Sequence, residues 1–84
     1  MPELIHQFAD QVKGQDGTLY AISAYGEARA DGTWEGWLEF RPAGASGPVL
    51  RTGRETSQPD KNALAYWASG LEPVYLDGAF ARAR

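Results

Sequence analysis

The sequence predicts an α+β fold: an antiparallel meander of three or four strands, one helix packed on one face, and a short C-terminal strand. Three observations predict it. The Asp-Gly dipeptides at 16–17 and 31–32 lie fifteen residues apart, each followed by Thr and a run containing aromatics. Apolar residues fall on even positions through 20–28 and again through 34–40, the period of a half-buried strand. One later stretch, SQPDKNALAYWASGL, switches to helical spacing and carries start and stop signals.

The first segment, residues 3–13, places Leu4, Phe8 and Val12 four apart. That spacing suits a helical stripe as well as one face of a strand. The strand reading is preferred, because the turn Gln15-Asp16-Gly17 then repeats the job of the second Asp-Gly turn. It sets Asp10 and His6 on the core face. The helix alternative gives an α-β-β-β-α order.

Around the second turn, Tyr20, Ile22, Ala24 and Ala28 precede it, and Trp34, Leu38 and Phe40 follow it. Directly opposed residues in an antiparallel pair share a face. A two-residue loop would pair even with odd positions and split this set. A three-residue loop, Ala30-Asp31-Gly32 with Gly32 at positive φ, keeps it together. Trp34, Leu38 and Phe40 then belong to the core. Tyr25, Glu27, Arg29, Glu35, Trp37, Glu39 and Arg41 take the other face, with Trp37 exposed.

Residues 42–48, PAGASGP, read as a loop, and 49–56 as a fourth strand with Gly53 at a bulge. The helix is read over about 57–69, with Ser57 as N-cap, Asp60 three residues on, and Gly70 at C′. Leu64, Trp67, Ala68 and Leu71 make its buried stripe, with Ala63 and Tyr66 at the margin. Residues 72–78 read as a short strand or extended return, and 79–84 as a tail.

Eighty-four residues hold one domain, and a chain this short buries only about 60–65% of its unfolded surface. The charge of -3 weighs against broad non-specific nucleic-acid binding. The absence of cysteine excludes disulfides, thiolate metal sites and Cys nucleophiles, and fits a cytoplasmic protein. No apolar run reaches the ~20 residues of a membrane span, and the N-terminus lacks the pattern of a signal peptide. Neither a cofactor nor a metal is implied.

The combination of GTWEGWLEF, LRTGRETSQP and YWASGLEPVYL resembles a family of short bacterial proteins of uncharacterised function. The resemblance covers roughly residues 18 to 80. It implies a bacterial setting and carries no activity with it.

His6 is the only histidine, with neither Cys nor a recognisable Ser elbow to act on, so the chain is read as no enzyme. Two surfaces could carry binding. One is the outer sheet face, with Tyr25, Arg29, Trp37 and Arg41, whose residue types are those of interface hot spots. The other is a corner of Arg51, Arg54, Thr56 and Ser57 before the helix, suited to a phosphate or carboxylate at the helix N-terminus. The expected function is a non-enzymatic protein-binding or self-associating module of the bacterial cytoplasm. The alternatives are a single-stranded RNA binder on the same face, disfavoured by Glu27, Glu35 and Glu39, and a small-anion binder at the corner.

Overall fold

A computed structural model describes residues 1–44 and 47–84. Five strands and two helices follow in order: β1 (Glu3–Lys13), β2 (Leu19–Ala28), β3 (Trp34–Pro42), β4 (Leu50–Arg51), β5 (Thr56–Gln58), α1 (Lys61–Ser69) and α2 (Pro73–Arg82). The chain is α+β, as its alternating and helical segments predict. The sheet runs β1-β2-β3-β4, and β5 also pairs with β3, further along the same side. Every pairing is antiparallel.

The β2–β3 hairpin keeps an unbroken register, with Ile22 opposite Phe40, Ala24 opposite Leu38 and Ala28 opposite Trp34. Even positions therefore share one face. The loop is the predicted three residues: the Arg29 amide donates to the Thr33 carbonyl, and Gly32 has φ 90°. Asp31 fixes it by accepting from the Thr33 amide and hydroxyl. The first turn repeats the design, with Gly17 at φ 87° and Asp16 accepting from the Thr18 amide. These hydrogen bonds hold both carboxyls below the usual Asp range. For Asp16 the largest cause is the Thr18 backbone bond, and for Asp31 the Thr33 side-chain bond.

β1 is a strand, but not a regular one. Its register against β2 shifts between Leu4 and His6 and again between Gln7 and Gln11. A bulge turns two neighbours to the same side of a sheet. Ile5 and His6 therefore both serve the core side, and Leu4 pairs with Tyr25 on the other. The expected core residue Leu4 is 53% exposed, whereas Phe8 and Val12 keep their inward places. Asp10 falls in the second irregularity and stays exposed.

The expected fourth strand is divided. β4 and β5 each pair with β3, and Gly53 and Arg54 lie in the break between them. Buried Thr52 bridges that break: its hydroxyl accepts from the Leu38 amide at 3.1 Å and donates to the Gly53 carbonyl at 2.8 Å. Residues 45–46 of the 42–48 loop lie outside the described residues.

Helix α1 starts at Lys61, later than its sequence signals suggest, because Thr56–Gln58 are drawn into the sheet. Asp60, not Ser57, is the N-cap, accepting from the Ala63 amide at 2.8 Å. Gly70 closes the helix with φ -94°, so no left-handed residue is needed there. Leu64 and Ala68 are buried, Trp67 and Leu71 partly so, and Tyr66 is exposed.

The expected C-terminal strand is instead helix α2, making two helices in place of one. Pro73 stands in its first turn, where the missing N–H costs nothing. Leu76, Ala79, Phe80 and Ala83 then recur at helical spacing and pack on the core. The run VYL within it is too short for its period to separate strand from helix. Beyond α2, the Arg84 and Arg51 backbones exchange hydrogen bonds of 3.0 and 3.1 Å, lengthening the sheet edge at β4.

Both helices sit on the even face. Ile22, Ala24, Leu38 and Phe40 meet Ala68, Leu76 and Ala79 in one core. Phe80 closes it between Tyr20 and Phe40, with ring centroids 5.0 and 5.2 Å away. Gly26 and Gly36 face each other across β2 and β3 and make a pit for Leu64. A methyl group at Gly36 would come within 2.6 Å of Leu64 Cδ1, and one at Gly26 would collide with Cδ2. Trp34 shares this face at the sheet end, half-buried, with Lys61 Nζ 5.9 Å from its ring centre. It borders the core and does not fill it.

Candidate docking face

The face opposite the helices belongs to the odd positions of β2 and β3. Register lays its side chains in rows across the strands. Leu4, Tyr25 and Trp37 form the middle row. On one side lies the row of Glu27, Glu35 and Ser57. On the other come Gln7, Ser23, Glu39 and Arg51, and then Gln11, Ala21 and Arg41.

Trp37 does lie on this face, opposite Tyr25, but it is 1% exposed and not open as expected. The Arg51 guanidinium lies over its ring, 4.1 Å from the centroid. The indole N–H donates to Glu39 Oε2 at 3.1 Å, so the ring has a polar partner as well as a cationic cover. Tyr25 keeps partial exposure, and Leu4 beside it is open.

Arg29 reaches along the face to Ser57, donating from Nη1 to Oγ at 3.2 Å. Arg41 is exposed. Glu27 receives the Met1 ammonium at 2.9 Å. Gln7 and Ser23 hold each other across β1 and β2, the Ser23 hydroxyl donating at 3.0 Å. Gln7 Nε2 also donates to the Ile22 carbonyl at 3.3 Å.

The four residues of the expected anion corner are spread apart. Thr56 pairs with Gly36 and looks to the helix side, where its hydroxyl accepts from Gln58 Nε2 at 2.7 Å. Ser57 pairs with Glu35 on the open face. Arg51 covers Trp37, and Arg54 is exposed in the strand break. The first turn of α1 has the Asp60 carboxylate as its cap, a negative group where the anion would sit.

Elsewhere, Glu55 is the most enclosed ion-pair member, its side chain 9% exposed. Tyr75 donates to its Oε1 at 2.5 Å and Arg82 at 2.6 Å, tying α2 to the strand break. Burial, helped by the Glu55 carboxylate, pushes the Tyr75 hydroxyl up to about 12. His6 stacks edge-on to Phe8 at 4.6 Å. Among the described residues no cavity of ligand size opens, and no group of three His, Cys, Asp or Glu side chains gathers as a metal site. No helix among them is long and apolar enough to cross a membrane.

Three members of the face, Leu4, Arg51 and Ser57, escaped the sequence reading; Ser57 arrives with β5, opposite Glu35. Leu4 arrives through the β1 bulge, which alternation cannot foretell. Arg51 arrives because β4 pairs with β3 opposite Glu39. Its proximity to Trp37 was legible only through that pairing. Comparison with known proteins returns no match: no family model, no curated protein and no solved structure is similar to the chain.

Proposed function

We propose that the chain is a non-enzymatic interaction module of the bacterial cytoplasm that grips a protein partner with its open sheet face. The observation that carries this reading is the Leu4–Tyr25 pair, apolar surface open across β1 and β2 on the face away from both helices, continued on β3 by the Trp37 ring under its Arg51 cover. Rows of charge lie on either side of it. An apolar centre with a polar surround is the anatomy of a protein interface. The bacterial setting rests on the resemblance of the GTWEGWLEF, LRTGRETSQP and YWASGLEPVYL motifs.

Single-stranded RNA is the weaker occupant. Bases stack on open aromatic faces, and Arg51 already covers the Trp37 ring. Glu27 and Glu35 would also repel phosphates. A small anion at Arg51, Arg54, Thr56 and Ser57 is weaker still, because those four side chains diverge.

The test is a paired substitution, Leu4→Ser with Tyr25→Ala, in tagged protein passed over a lysate of a bacterial host. Circular dichroism should remain that of the wild type, and retained protein should fall at least about tenfold, the cost of losing one or two hot-spot contacts. Equal retention by both forms would end the reading. Titration with single-stranded RNA at low and high salt separates the second occupant, since phosphate contacts weaken steeply with salt.

A further inference from the structure

We propose, resting on that reading, that the partner of the open face is a second copy of this chain, packed face to face about a two-fold axis running across the strands. The charges select this occupant. The face carries three carboxylates, Glu27, Glu35 and Glu39, beside three guanidinium groups, Arg29, Arg41 and Arg51, and the Lys13 ammonium at its far end. Charges of both signs leave a partner of one sign repelled by part of the surface. The signs are mixed along the strands, with Arg29 beyond Glu27 on one side and Glu39 beside Arg51 on the other, but on β3 Glu35 and Arg41 lie on opposite sides of the apolar row. Glu27 and Glu35 lie one row to one side of the apolar row, and Arg41 lies two rows to the other.

That order is self-complementary in one orientation. A two-fold axis along the strands would lay the Glu27–Glu35 row against itself, a like-charge contact. An axis across the strands, between the Tyr25 and Ser23 rows, reverses each strand over its own copy. Glu35 of each molecule then lies over Arg41 of the other, and the contact occurs twice. The Leu4–Tyr25–Trp37 rows lie side by side next to the axis. The same patch serves on both molecules, as a two-fold interface requires.

The size is sufficient. Four strand positions about 4.8 Å apart and nine residues of about 3.3 Å each make a face of roughly 500–600 Å². Two such faces bury roughly 1,000–1,200 Å², the lower limit of a specific protein interface. A pair with a dissociation constant in the micromolar range or weaker is expected, sensitive to salt because its pairing charges lie near solvent.

The experiment is sedimentation equilibrium over a wide concentration range on the wild type, Glu35→Arg, Arg41→Glu and the double swap. Each reversal alone should weaken the dimer at least about tenfold, and the swap should return it to within a few-fold of the wild type. High salt should weaken the wild-type dimer. A wild type that stays monomeric to millimolar concentration, or a swap no better than either single change, overturns the inference. If the protein is monomeric while Leu4→Ser with Tyr25→Ala still loses a different protein from the lysate, the interaction module stands and the second copy falls. If the dimer forms and follows the charge swap, both stand.

Discussion

The two faces of the sheet are built from alternate residues of the same strands, yet they hold their side chains by different means. On the helix side, Ile22, Leu38 and Phe40 are fully buried and meet in one hydrocarbon cluster, and Leu64, equally buried, sits in the pit of Gly26 and Gly36. On the open side the one large buried side chain, Trp37, is covered by an arginine and hydrogen-bonded to a carboxylate. The first arrangement derives its free energy from removing apolar area from water. The second keeps charged groups at the surface and uses them as cover. A face sealed by charge can be reopened by another molecule without unfolding anything beneath it.

The sharpest way to break this comparison is at the glycine pit. Leu64→Ala should cost about 2–5 kcal/mol, as for other buried leucines, read as a fall in the denaturation midpoint. Gly36→Ala overfills the same pit and should cost about 1–3 kcal/mol. Combined, the two should cost less than the sum of the singles, because the smaller side chain at 64 makes room for the methyl group. Strict additivity would mean that Leu64 is not seated between the glycines.

A smaller effect belongs to the seam joining α2 to the strand break. The Tyr75 hydroxyl is held at about 12, against 10.0 for the unperturbed group, through burial and the neighbouring Glu55. The folded state therefore keeps its proton after the unfolded chain has lost it. The stability this supplies is complete below pH 10 and is lost as pH rises toward 12. Urea midpoints measured across that window should fall with pH, and Tyr75→Phe should flatten the fall. An unchanged slope in the variant would place the alkaline sensitivity elsewhere.

The smallest effect belongs to the open side. Leu4→Ser alone should change the unfolding free energy by less than about 0.5 kcal/mol, because the residue lies outside the core. A loss of 2 kcal/mol or more would return Leu4 to the interior and erase the contrast between the faces.

The parts of the molecule legible in the sequence are those held by local chemistry. Asp31-Gly32 and the even-numbered apolar residues determine both the loop length and the register of β2 on β3, and these stand as read. The core placement of Leu38, Phe40, Leu64 and Ala68 follows from the same periods. What was illegible depends on partners distant in sequence. Leu4 is turned outward by a bulge that leaves no mark in the alternation of β1. Ser57 reads as a cap, yet pairing opposite Glu35 takes it into the sheet and leaves the cap to Asp60. Residues 73–76, PVYL, carry a strand-like run whose helical continuation becomes clear only with Ala79 and Phe80. At the candidate face, Tyr25, Trp37 and Arg41 were placed on the correct side by parity. The closure of Trp37 was not foreseen, because its cover, Arg51, comes from a strand only two residues long.

The irregular pairing of β1 bears on more than the position of one leucine. With its register displaced twice, this border strand cannot offer an incoming chain an uninterrupted ladder along its eleven residues. Growth of the sheet from molecule to molecule is thereby discouraged, and with it the fibrous deposits that a long straight border invites. Concentrated protein should stay clear and free of thioflavin-binding material, while a chain shortened to regularise β1 should not.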